Sequence, residues 1–465
     1  MKYLIFFLSL TAFRFIVGWF LPVIGDEGCY WIWSQNLDLS YVGHPPMIAY
    51  YIRLMTTFFG HNLIAFRFGA LLLVSAITYF VYLIAKELFD KHIGLKAAVI
   101  FSLIPTFLGG SIFLVPQQLF LFFWTLSLLV FVKLVKSGKA YWWYILGVCV
   151  GLGWLSDYIM VFFFPAVGLY LILNKEMRFW WTRKEPYLGL LLSLVVFSPV
   201  IIWNFQHAFA PIAFWSGRSA RTPNYTNNLL TFLVLQAVLY TPIIFGLLVN
   251  LYEKLWLYNK RTTLLACFSL PVLVPFLILS PLMDVGSHWT AAAYIPVVIF
   301  LSQLKSQRAK TFVTLTVMFG ILINLLAFSY YLFFYPTPQE LLGRETKVNQ
   351  ELSLFLKQYT PPQGKTYYVS NNLGVAGLVA LYGQVRAYMA PGRLLQHDIW
   401  GNPPLEPGDN VIYFVHNEKE LEGKLRNIFT SVYVDPQKRV FTKDADIPQK
   451  TVVLHCWGYM DGKLP

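Results

Sequence analysis

Ile64-Ala65-Phe66-Arg67-Phe68-Gly69-Ala70-Leu71-Leu72-Leu73-Val74-Ser75-Ala76-Ile77-Thr78-Tyr79-Phe80-Val81-Tyr82-Leu83-Ile84-Ala85 holds one charged residue in 22. As a helix it would be about 33 Å long, enough to cross the hydrocarbon core of a bilayer. Similar apolar stretches fall at 3–24, 95–114, 118–135, 142–157, 160–173, 187–203, 229–250, 264–280, 290–303 and 311–334. Together they predict a polytopic α-helical membrane protein with about eleven crossings. Composition agrees: 57% of residues are hydrophobic, 18% aromatic and 13% charged, where a soluble domain carries about 25% charged residues.

Charge gives the bundle a direction. With Met1 inside, the loops 86–96, 133–141, 174–186, 251–263 and 303–310 plus Lys2 hold seventeen Lys and Arg, whereas the opposite loops hold Arg53, Arg218 and Arg221. Basic residues resist translocation, so the N-terminus is expected in the cytoplasm of a bacterial inner (plasma) membrane. An odd number of crossings then places residues 335–465 outside. The net charge of +13 belongs almost wholly to the first 334 residues. It is an orientation signal, and no nucleic-acid partner is implied. The N-terminal run lacks a small-residue cleavage site and reads as a retained first helix. The four cysteines (Cys29, Cys149, Cys267, Cys456) are widely spaced and predict no disulfide framework.

The chain changes character at Tyr335-Pro336-Thr337-Pro338. Strand-like runs follow at Thr366–Val369, Asn410–Val415, Ser431–Val434 and Thr451–His455, with helical patterns at Leu373–Tyr382 and Glu418–Phe429. The expected division is a transmembrane domain over 1–334 and a periplasmic α/β domain over 335–465.

Polar residues near the membrane are costly and therefore informative. The densest group follows the first helix: Gly25-Asp26-Glu27-Gly28-Cys29-Tyr30-Trp31-Ile32-Trp33-Ser34, then Tyr41-Val42-Gly43-His44-Pro45-Pro46. It reads either as an interfacial aromatic belt in an outer loop or as a substrate site with a carboxylate base. Further segments with this character are Pro116-Gln117, Gly151–Tyr158, Ser198-Pro199…Trp203-Asn204-Phe205-Gln206-His207, Gln236…Tyr240-Thr241-Pro242, His288-Trp289…Tyr294-Ile295-Pro296 and Arg393…Gln396-His397-Asp398-Ile399-Trp400. In this order they resemble the GT-C glycosyltransferases of the dolichyl-phosphate-mannose protein mannosyltransferase type, and most of all their bacterial branch, which includes lipid A glycosyltransferases.

The resemblance implies a GT-C-like catalytic domain and a reaction. A sugar would move, with inversion, from a polyprenyl-phosphate donor to a hydroxyl or phosphate of an extracytoplasmic acceptor, a lipid (lipid A) or another glycan. Membrane lipids would surround the donor's tail. Asp26 matches the catalytic base, and Glu27 is assigned to acceptor orientation or to structure. Tyr30, Trp33, His44, Gln117, Asp157, Asn204, His207 and His288 are candidate substrate-binding residues. Arg218 and Arg221 read either as a grip on the donor phosphate or as ordinary loop cations. No cofactor is needed for the chemistry, although some relatives hold a divalent metal, for which His44 and His207 are the candidates here. Asp284 ranks behind these, and Arg14 and Arg67 read as interhelical hydrogen-bonders. Two departures stand out: Gln117 replaces a frequent Asp, and Asp157 replaces a frequent Lys. The competing readings are a protein O-mannosyltransferase-like enzyme, a lipid or sugar transporter, and a non-catalytic envelope assembly protein. A transporter would show mid-membrane charges and an inverted repeat, and the sequence displays no repeat.

Overall fold

The computed structural model describes residues 2–21, 23–219, 225–253, 259–333, 364–389, 403–415, 418–434, 452–462 and 464. The chain forms two compact units. The first comprises Met1–Phe15, His44–Met47 and Phe68–Tyr335; the second comprises Ile16–Gly43, Ile48–Arg67 and Pro336–Pro465. The last change of unit along the chain falls between Tyr335 and Pro336. However, the second unit also takes in two segments from the N-terminal part of the chain.

The first unit is helical. Among the described residues, five helices are long and apolar enough to cross a membrane: Leu63–Leu88, Pro116–Ser137, Glu185–Gln206, Lys260–Leu279 and Gln307–Ser329. Three bent pairs raise that number to eight if each is one span. Shorter helices fill the other expected stretches. The 95–114 run, for instance, is broken at Ile104, where Pro105 begins a new helix after Lys91–Leu103. Proline lacks the N–H and fixes its own φ, so it starts helices readily and continues them badly. The 142–173 run divides into Tyr141–Trp154 and Phe163–Leu173, with a 3₁₀ turn at Tyr158–Phe162 between them. Burial separates the inner helices from the outer ones. The Pro116–Ser137 window is 72% buried and the Gln307–Ser329 window 11%, as expected of helices facing protein and lipid respectively. Arg14 follows its predicted role, donating to the carbonyls of Ser102 (3.3 Å) and Phe107 (3.4 Å).

In the second unit the post-338 segment forms a five-stranded mixed sheet in the order β2-β1-β3-β5-β4. The strands are β1 Thr366–Ser370, β2 Ala387–Met389, β3 Asn410–Val415, β4 Phe429–Val434 and β5 Val452–Tyr459. β1 pairs in parallel with β2 and β3, and β5 pairs antiparallel with β3 and β4. β3 is buried at every position, and its Asn-Val-Ile-Tyr-Phe-Val sequence suits a strand covered on both faces. The helix Leu373–Gly383 connects β1 to β2. All four cysteines are buried and unbridged.

Candidate functional site

Gly25–Gln35 is helical, which corrects the outer-loop expectation for the Asp-Glu segment. We call this helix α1. Glycines in a first turn argue against a helix, because each costs about 1 kcal/mol relative to alanine. Here they serve a contact. A Cβ on Gly25 would lie 2.8 Å from the Gly374 Cα, and one on Gly377 would lie 2.3 Å from the Gly28 carbonyl carbon. Two Gly-x-x-Gly edges therefore let the backbones of α1 and the Leu373–Gly383 helix touch.

The adjacent carboxylates have opposite environments. Glu27 is fully buried and forms a two-pronged ion pair with Arg67, at 2.6 and 3.2 Å. It also accepts from the Ile24 N–H at 3.0 Å. Arg67 donates further to the carbonyls of Gly18 (3.1 Å) and Leu21 (3.3 Å). The pair ties the end of the preceding helix to the start of α1, which favours the structural assignment for Glu27. Asp26, one residue earlier and about 100° round the helix, is exposed. It sits in the first turn, where the helix's positive end favours a negative charge. A clamped backbone with a presented carboxylate is what a general base requires.

Tyr30 and Trp33 are buried instead of lining an open site: the two rings meet edge-on at 5.2 Å, and Trp33 stacks on Tyr41 at 4.5 Å. The Tyr41 hydroxyl donates to the Trp33 carbonyl at 3.0 Å. These rings stabilise α1 from its core side.

In the first unit the structure brings several candidates together. Gln117 opens the Pro116–Ser137 helix and donates to the His288 carbonyl at 3.0 Å. The turn carrying His288 is fixed from below by residues to which sequence reasoning gave no role. Buried Gln236 donates to the Ser287 carbonyl (3.1 Å) and accepts from the hydroxyls of Thr290 (2.7 Å) and Tyr294 (2.8 Å). Tyr294 stacks on Tyr240 at 3.8 Å. The Gln236…Tyr240 spacing, one helical turn, was the available signal. His44 meets Trp215 edge-on at 5.9 Å, and Trp215 meets Trp289 at 5.8 Å. This aromatic chain links three sequence-distant segments.

His207 caps the Glu185–Gln206 helix and stacks on Trp203 at 4.1 Å. Its Nδ1 lies 2.8 Å from the Trp203 carbonyl. A carbonyl only accepts, so Nδ1 carries the proton and Nε2 is left as the acceptor. Asn204 turns inward and donates to the Val200 carbonyl of its own helix. Ala208 and Phe209 follow with φ of 49° and 55°, two consecutive non-glycine residues in the left-handed region. Such strain is uncommon and collects at functional turns. Asp157 is buried and caps the 3₁₀ turn, accepting from the Ile159 N–H at 2.9 Å. Arg218 lies on the Ala210–Ser219 helix, its side chain outside the described residues. Arg221 and the Arg393…Trp400 motif lie outside them entirely.

The metal expectation does not fit the donors. Among the described residues, no three His, Cys, Asp or Glu side chains gather as a metal site. His44 packs on Trp215, and His207 uses one ring nitrogen on its own backbone.

The fold defines a polytopic helical membrane protein with a mixed sheet in its last part. The family model of dolichyl-phosphate-mannose-protein mannosyltransferases matches residues 43–203, a stretch that includes His44, Gln117 and Asp157 and begins after Asp26. The chain is similar to the lipid A galacturonosyltransferase RgtD of Rhizobium johnstonii, 28% identical over 58% of each chain. It is also similar to the undecaprenyl phosphate-alpha-4-amino-4-deoxy-L-arabinose arabinosyl transferase of Wigglesworthia glossinidia brevipalpis, 26% identical over 30% of this chain and 26% of that one. The matches thus span just over half of the first relative and about a quarter of the second. Among solved structures, ArnT from Cupriavidus metallidurans bound to undecaprenyl phosphate superposes with a TM-score of 0.71 at 12% identity, covering 98% of both chains. At that identity the match establishes the fold, and the resemblance read from the sequence is found again in all three comparisons.

Proposed function

We propose that this protein is an inverting glycosyltransferase that moves a sugar from a polyprenyl-phosphate donor to an extracytoplasmic glycolipid acceptor of the lipid A kind. The observation that carries the reading is Asp26: an exposed carboxylate on a helix whose first turn is clamped by Glu27 and Arg67. The named activities of the two sequence relatives support the donor and acceptor classes.

The acceptor oxygen attacks the anomeric carbon while the bond from that carbon to the lipid phosphate breaks. The acceptor's proton passes to Asp26, and the bonding electrons leave with the phosphate. A positioned base of this kind is worth roughly 10²–10⁴-fold. The phosphate gains charge as it departs and needs cations or N–H donors, the role we assign to Arg218 and Arg221. Only phosphate, sugar and the first isoprenes need protein contacts, since the bilayer holds the rest of the tail at about 0.8 kcal/mol per CH₂. The N-terminus is cytoplasmic, and the chemistry and the 335–465 segment lie on the outer side.

The test is transfer by the purified full chain in lipid nanodiscs, given a polyprenyl-phosphate sugar and a lipid A-type acceptor. Mass spectrometry should show one added sugar and NMR an inverted anomeric configuration. Movement of the donor across vesicles without transfer would replace this reading with a transporter.

A further inference from the structure

At the far end of α1 from Asp26, the second unit holds a cavity of about 280 Å³ lined by Trp31, Gln35, His61, Gln384, Arg386, Tyr388 and their neighbours. Its lining, drawn from the described residues, includes one arginine and one histidine and no carboxylate. Ligand pockets commonly run from roughly 300 to 1,000 Å³, so this one suits a single sugar ring and not a whole lipid.

Three features show a site prepared for an anion. The Arg386 guanidinium lies 5.0 Å from the centre of the Tyr388 ring, so its fork is oriented in advance. His61 Nδ1 accepts from the Trp31 indole N–H at 3.1 Å. Partial burial, and then Arg53, push the His61 imidazole below its usual pKa. Because Nδ1 accepts in the bond from Trp31, the proton of the ring sits on Nε2, which is a donor. Arg53 donates to Gln35 at 3.1 Å, which sets a second guanidinium beside the lining.

We propose that this cavity is an acceptor subsite that grips a phosphate or carboxylate borne on the acceptor glycan while the reacting oxygen of the same glycan lies at Asp26. The inference rests on the transferase reading. Trp31 and Gln35 lie five and nine residues beyond Asp26 on one helix, about 8 and 14 Å along the axis and about 140° and 180° round it, so the glycan runs along α1 and round to its other side. That range is the length of a short oligosaccharide.

The experiment has two arms, both on the full chain in nanodiscs. In the binding arm, N-acetylglucosamine 1-phosphate, N-acetylglucosamine and inorganic phosphate are titrated by saturation-transfer NMR. The sugar phosphate should bind best. Arg386→Gln should weaken it about tenfold, the scale of one hydrogen bond to a charged group, and Arg386→Lys should recover part of the loss. Equal binding to wild type and Arg386→Gln, or no binding, overturns the subsite. In the kinetic arm, Arg386→Gln should raise the acceptor KM about tenfold at unchanged kcat for a phosphorylated glycolipid, and leave KM unchanged for the dephosphorylated one. Equal effects on both acceptors overturn the acceptor assignment. A wild-type chain that binds the sugar phosphate through Arg386 yet transfers nothing would instead overturn the transferase reading and leave the anion pocket standing.

Discussion

The start of α1 and the end of the Glu185–Gln206 helix both present polar residues, but they are held in different ways. At α1 the support is long-range: Glu27 pairs with Arg67, forty residues away, and Gly28 meets Gly377. At the other end it is local. Asn204 bonds to Val200, His207 bonds to Trp203, and two left-handed residues turn the chain. A carboxylate held by distant parts of the fold suits a base that must not move. A strained local turn suits groups that adjust as a ligand binds and leaves.

The largest effect should come from Arg67→Ala. It leaves Glu27 buried and unpaired, and breaking a buried pair this way costs about 3–5 kcal/mol. Thermal unfolding in detergent should show a much lower Tm, and a Tm within a degree or two of wild type would mean that α1 is not clamped there. Next is Gly377→Ala, whose methyl would meet the Gly28 backbone. Overpacking of this kind costs about 1–3 kcal/mol, and kcat should fall while donor affinity is retained. If both constants are unaffected, the glycine seam does not position Asp26. The smallest effect belongs to Phe209→Gly. Glycine relieves the left-handed strain but enlarges unfolded-state freedom, so stability should change by under about 1 kcal/mol. If the turn must adjust, kcat should change more than Tm; equal, small changes in both would make it merely a connector.

Much of this was legible in the sequence because the bilayer imposes strong rules on hydropathy and charge. The helical first unit and the interhelical roles of Arg14 and Arg67 follow from them, while the tail's strands β1, β3, β4 and β5 follow from short runs rich in Val, Tyr and Phe. The short strand β2 escaped because three residues carry almost no periodicity. α1 was misread as a loop because its glycines lower helix propensity, while the matching glycines at 374 and 377 lie some 350 residues away. Tyr30 and Trp33 drew notice as aromatics; they lie at i+4 and i+7 from Asp26, on its own face of α1, and are buried further along the helix while Asp26, at its start, is exposed. The cap formed by Asp157 and the network around Gln236 depend on backbone geometry, which residue spacing does not reveal.

The central claim is that Asp26 takes the acceptor's proton. Single-turnover transfer by Asp26→Asn, in chain that binds the polyprenyl-phosphate sugar with wild-type affinity, tests it most directly. The account predicts a rate at least about 10²-fold lower. A rate within a few-fold of wild type would contradict it.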